Sequence, residues 1–203
     1  RGLAAASIAR KLAAIRSLFS FLARRGVTGA NPARAVRKTV PRRQAPPVLR
    51  LERIDAALDA AGDGGFRGTR DRALIAILYG GGIELGELCG LNLSALSLDR
   101  GTVRVLGRGR RERVVPIGRA AVALLRVYLQ QRAELLVGLD LRRVQAGALF
   151  VNCRGGRLAR RSVERIVGRC LRAAGPLPPA TGAVAPGPRL LRRGSVARAV
   201  EAG

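Results

Sequence analysis

Glu84 and a scattered set of arginines are the residues whose types and spacing could do chemistry. Glu84 follows Gly80-Gly81-Gly82 and precedes Leu85, Leu88 and Cys89, which recur at helical spacing. Glycine is cheap where the backbone must turn sharply, so the triplet is expected to stop one helix and to leave Glu84 at the start of another. A side chain held at the exit of a buried helix is rigidly presented. Farther along, Gly107-Arg108-Gly109-Arg110-Arg111-Glu112 joins two β-rich runs, Thr102 to Leu106 and Arg113 to Ile117, with Arg113 at the base of the hairpin. Arginine can grip a phosphate bidentately, and glycine lets a backbone come close. The tip is therefore either a phosphate contact or a solvated turn. A last cluster, Arg189, Arg192, Arg193 and Arg198, lies near the end of the chain.

Cations of this kind suit phosphate contact. Histidine is absent, and the two tyrosines are Tyr79 and Tyr128. Tyr79 ends an apolar run and Tyr128 borders the apolar face of another, so core packing is the expectation for both. Cys89, Cys153 and Cys170 show no C-x-x-C spacing, which with no histidine gives no expectation of a metal site. Cys89 and Cys170 sit on apolar helical faces and read as small core residues. An odd cysteine count fits a reducing, cytoplasmic location.

The elements that must position these residues are mostly helical. Ser7 is a candidate cap for a helix with Ile8, Leu12, Ile15, Leu18, Phe19 and Leu22 on one stripe, ended by Gly26. Asn31-Pro32 starts a short second helix. Lys38 to Leu49 is a linker: Pro41, Pro46 and Pro47 forbid a helix, and Lys38, Arg42 and Arg43 make it basic. Leu51 to Ala61 is a helix ending at Gly62. Thr69, as N-cap, opens a buried helix with Ala73, Leu74, Ile77 and Leu78 at three- and four-residue spacing. Arg119 to Arg132 is amphipathic through Val122, Leu125 and Leu129. Leu149-Phe150-Val151 reads as a short strand turned by Arg154-Gly155-Gly156-Arg157. Arg160 and Arg161 open a helix burying Val163, Ile166, Val167, Cys170 and Leu171. Basic residues at a helix start oppose the macrodipole unless an anion sits there, which favours phosphate.

The chain has 203 residues and a formal net charge of +25, almost all of it arginine. Such an excess repels itself and suits a polyanion, with nucleic acid the leading candidate. An anionic membrane surface is the weaker one, and a merely solvated basic surface is the bland one. No apolar run approaches the roughly 18 residues of a membrane span, and no signal-peptide pattern opens the chain. The chain starts at Arg1 and contains no methionine, so an incomplete reading frame is expected.

Arg70-Asp71, Tyr79-Gly80, Gly82-Ile83 and Glu87-Leu88 together resemble the opening of the catalytic domain of tyrosine recombinases (the phage integrase family), most closely the Xer type. Arg10 to Val36 is similar to the end of that family's helical core-binding domain. The resemblance implies a mainly α fold with small β-hairpins: residues 1–37 as the C-terminal part of a core-binding domain, 38–49 as a basic linker, and 50–203 as a catalytic-type domain. It implies that the linker follows a DNA backbone, whereas composition alone leaves a mechanical spacer equally open. It also implies that Glu84 stands where the family has its first catalytic arginine, Arg108 where it has a lysine general acid, and Arg189 where it has a histidine. Arg192 matches the second catalytic arginine. Arg193 and Arg198 replace other histidines of the box. The family's tyrosine nucleophile would fall beyond Gly203. Arginine keeps a positive charge but does not readily give up a proton.

The expected partner is duplex DNA, touched by Lys38, Arg42, Arg43, Arg108, Arg110, Arg111, Arg113, Arg160 and Arg161, with a recombinase-family protomer as a second partner. No metal, small-molecule cofactor or membrane is expected. By resemblance the process is site-specific recombination, in chromosome dimer resolution or DNA integration, with no strand cleavage by this chain. Three classes stay open: a DNA-binding recombinase fragment or decayed paralogue, a non-catalytic accessory protein beside an active partner, and a basic RNA-associated structural protein.

Overall fold

The computed structural model describes residues 3, 5–37, 49–62, 64–107, 109, 111–140, 144–176 and 186–201, the last six without their side chains. Lys38, Arg42, Arg43, Arg108 and Arg110 therefore lie outside the described residues, as does the side chain of Arg198. The chain divides into two units, Arg1–Ala45 and Pro46–Gly203, and the division falls inside the proline-rich segment.

In the first unit, helix α1 (Ala5–Arg24) starts before Ser7, so Ser7 is not its cap. Gly26 ends it with φ 72°. Of the apolar stripe, Leu12 is buried, while Ile8, Ile15 and Leu18 are exposed. The second start signal is a 3-10 turn, Pro32–Arg34, not an α-helix. Asn31 is its cap: Oδ1 accepts the Ala33 N–H at 3.1 Å, and Nδ2 donates to the Arg16 carbonyl at 3.0 Å and to Ser20 Oγ at 2.8 Å. Arg16 Nε donates to the Ala33 carbonyl at 2.9 Å and closes the loop onto the helix.

The second unit is built around α3 (Gly65–Gly81). From Gly68 to Tyr79 every residue except Arg72 is buried. The sequence marks one apolar stripe, but the helix is covered all round, by α2 (Leu51–Asp59), α5 (Gly118–Val137), α6 (Arg160–Ala173) and α7 (Pro188–Glu201). Thr69 does not cap α3, because Gly64 holds that position. The Thr69 hydroxyl lies 3.3 Å from the Gly65 carbonyl and 3.2 Å from that of Phe66, the back-bonding available to threonine inside a helix, and 2.9 Å from Gln131 Oε1.

A short helix, α4 (Leu85–Gly90), leads into a three-stranded antiparallel sheet: β1 (Leu96–Ser97), β2 (Thr102–Leu106) and β3 (Glu112–Pro116), in that order. The β2–β3 register pairs Val103 with Val115 and Leu106 with Glu112, and beyond the last pair the Gly107 N–H donates to the Arg111 carbonyl at 2.8 Å. The fold is thus mainly α with a small β element. One further local expectation fails: Leu149-Phe150-Val151 forms no ladder, and Ala148 and Val151 make single bridges to Asn92 and Arg157. Tyr128 packs in the core as expected, fully buried and stacked on Phe150 at 5.3 Å between centroids.

Candidate functional site

The glycine triplet fixes the site. Gly82 ends α3 in the left-handed region, with φ 55°. A Cβ on Gly80 would collide with the Ile117 carbonyl oxygen, so glycine lets α3 press against the end of β3. Ile83, 1% exposed, anchors the next residue in the core. Glu84 then caps α4 in extended backbone, and Glu87 completes a capping box. Within it, the Glu84 N–H donates to Glu87 Oε2 at 2.7 Å.

Three elements converge there. Arg192, on α7, donates from Nη1 to Glu84 Oε1 at 2.7 Å. The helix is locked by fully buried Leu190 and Leu191, and Gly194 lets it lie on the Tyr79 ring, 3.0 Å from where a Cβ would stand. Arg113, from β3, donates to both Glu87 oxygens, at 2.5 and 2.8 Å. Burial opposes charge on Glu87, but the Arg113 guanidinium and the Glu84 N–H outweigh it and hold the carboxyl below the ordinary carboxylate range. Glu87 in turn raises the Arg113 pKa. Arg160 Nη1 comes within 3.6 Å of a Cβ placed on Gly86, bringing the start of α6 beside α4. The α6 N-terminus has no side-chain cap and no acidic residue in its first turn, and Arg160 and Arg161 are both exposed there.

The structure therefore brings together Glu84, Arg192, Arg113 and Arg160. Arg189 and Arg111 are exposed, and among the described residues no hydrogen bond or ion pair holds the guanidinium group of either. Sequence reasoning missed Glu87 as the partner of Arg113, although Glu three residues after the helix-start Glu84 is capping-box spacing. It also missed Arg157, whose guanidinium donates to the Cys89 and Leu91 carbonyls at 3.0 and 2.8 Å and clasps the end of α4. Neither tyrosine faces this site openly. Tyr79 is 8% exposed under α7. Tyr128 donates to the Leu149 carbonyl at 3.0 Å and accepts the Val151 N–H at 3.1 Å, and burial pushes its pKa up to about 12.

Residues 47–193 match the model of the phage integrase family, nearly three quarters of the chain. The chain belongs to the phage integrase family. Within it, the chain is 42% identical over 163 residues to the tyrosine recombinase XerC of Myxococcus xanthus, covering 80% of this chain and 54% of the relative. It is 38% identical to XerC of Thermodesulfovibrio yellowstonii, covering 82% of this chain and 55% of that protein. The chain thus spans about half the length of these curated relatives. Among solved structures, XerH recombinase bound to palindromic difH substrate superposes with TM-score 0.74 at 21% identity, covering 99% of this chain and 56% of that one. A lambda integrase dimer bound to a core site gives TM-score 0.69 at 17% identity, covering 95% and 66%. At such identities the likeness establishes the fold, which is that of the tyrosine recombinases.

Proposed function

We propose that this chain is a duplex-DNA-binding member of the recombinase family, of the type used in site-specific recombination, whose phosphate site is closed by its own carboxylate. The observation that carries the reading is the 2.7 Å ion pair from Arg192 to Glu84. Arg192 stands at a family catalytic position, and a carboxylate is the nearest protein mimic of a phosphate oxygen pair. Glu84 puts an anion where strand exchange requires a cation, and Arg192 has its charge answered before DNA arrives. The DNA-holding frame is retained: exposed Arg111, Arg160 and Arg161, the uncapped N-terminus of α6, and the +25 net charge. Residues 1–37 and 50–203 are the two arms expected to clamp the duplex, joined by the basic linker 38–49.

Tyr79 and Tyr128 are packed, so no tyrosine of these 203 residues is placed to attack a bound backbone. On this reading these 203 residues bind DNA without cutting it, and a recombinase-family protomer is the second partner. Its setting is the reducing cytoplasm, in chromosome dimer resolution or DNA integration. Among the described residues no helix is long and apolar enough to cross a membrane.

The test is a nicked suicide duplex, which traps a covalent protein–DNA intermediate, together with duplex affinity across salt. The expected result is steeply salt-dependent binding with no adduct. An adduct lost on mutating Tyr79 or Tyr128 overturns the non-cleaving reading, and affinity indifferent to salt overturns the binding one.

A further inference from the structure

On the other side of α6 lies a second concentration of arginine that the DNA reading does not use. Ser162, Arg165, Ile166 and Arg169 share one stripe of the helix, while Arg160 and Glu164 point to the opposite side. Across from that stripe stand Arg67 and Arg70 of α3, and the turn Asn152-Cys153-Arg154 closes the end. Together they enclose an open hollow of about 780 Å³. That volume is within the range of small-molecule sites, about 300–1,000 Å³.

The hollow is built on a buried carboxylate. Asp71, 2% exposed, accepts from Arg70 Nε and Nη2 on Oδ1, at 2.9 and 2.7 Å, and from Arg169 Nη2 on Oδ2 at 2.8 Å. Both oxygens accept from arginine, so two guanidinium groups are held in place around a carboxylate already answered by two cations. Arg67 donates from Nε to Cys153 Sγ at 3.1 Å. Asn152 Oδ1 is taken by the N–H groups of Arg154 and Gly156, at 2.8 and 3.2 Å, which leaves its amide to donate. Arg154 and Arg165 are exposed, and their guanidinium groups have no hydrogen-bond or ion-pair partner among the described residues. Five arginines thus face one aspartate whose charge is already shared by two of them. Crowded cations repel unless an anion enters, and a single phosphate cannot span a hollow of this size.

We propose that this hollow is a binding site for a small polyphosphate anion, separate from the DNA face. Linked phosphoryl groups match it in three ways. They are acceptors throughout, they carry several charges in a short length, and they take guanidinium forks bidentately. Inorganic polyphosphate and the phosphate tail of a nucleotide share this chemistry.

The test is calorimetric titration of the whole chain at physiological salt with inorganic pyrophosphate, tripolyphosphate and a nucleoside triphosphate. It compares wild type, Arg154→Ala/Arg165→Ala, and Arg10→Ala/Arg24→Ala as a charge control. Both pairs are exposed, so folding is not at stake. The expected result is that the hollow variant weakens pyrophosphate binding about tenfold or more while the control does not. Duplex affinity should change no more in the hollow variant than in the control. Tighter binding of the nucleoside triphosphate than of tripolyphosphate identifies a nucleotide site, and the reverse an inorganic one. Equal pyrophosphate binding by all three proteins overturns the proposal, leaving general surface charge. So does displacement of pyrophosphate by duplex DNA with matching loss of DNA affinity in the hollow variant. Binding of polyglutamate but not pyrophosphate overturns it in favour of an acidic peptide.

Discussion

The two faces flanking α6 treat their arginines in opposite ways. On the α4 side, each central cation has its own carboxylate: Arg192 has Glu84, and Arg113 has Glu87. On the α3 side, one buried carboxylate serves two arginines, and Arg154 and Arg165 are left over. The first face is closed by charge and the second is open to it. The difference shows that local balance, not the total of +25, decides where an anion can gain most. A paired guanidinium must first give up its partner, whereas an unpaired one in a hollow gains from the start.

Asp71→Ala is the largest break in this contrast. It leaves Arg70, 6% exposed, buried without a counter-charge, and it unties Arg169. The expected loss is about 3–5 kcal/mol of stability, read as a fall in the urea midpoint. Unchanged stability would mean that Asp71 does not organise the hollow.

Gly80→Ala attacks the other face through its scaffold. The added Cβ meets the Ile117 backbone oxygen, which cannot swing aside like a side chain. A cost of about 1–3 kcal/mol is expected, along with weaker definition of the turn that presents Glu84, measured by denaturation and by amide exchange at residues 82–88.

The sequence made this scaffold legible because it is local. Gly82 before Glu84, the alternation in Thr102 to Leu106, and the apolar spacing of Val163 to Leu171 each state their element within a few residues. Thr69 was misread because a hydroxyl that caps a helix can equally bond back inside one, and Ser7 because the helix already starts at Ala5. The Leu149 to Val151 run looks like a strand, yet it meets Asn92 and Arg157 through single bridges, and no pattern in the run itself reveals its partners. Only the family resemblance pointed to the Glu84–Arg192 pair, by implying that both stand at catalytic-arginine positions. The hollow was not readable at all, since Asp71 and Arg169 lie 98 residues apart and nothing local joins them.

Glu87→Gln sharpens the paired side by pH. The Glu87 carboxyl titrates lower in the folded chain than when unfolded, so its contribution is full above the unfolded value, near 4.3, and is lost as pH falls through the folded one. The variant should be about 1 kcal/mol less stable at pH 7 and should lose less on acidification. Parallel stability–pH curves for variant and wild type would contradict the Arg113–Glu87 account.

The central claim, that Glu84 occupies the place of a phosphate, is tested most directly by the duplex affinity of Glu84→Gln at several salt concentrations. The substitution keeps the shape and removes the charge, leaving Arg192 to meet DNA. The account predicts severalfold tighter binding, with a steeper salt slope as one more cation engages the backbone. Unchanged or weaker binding with an unchanged slope would contradict it.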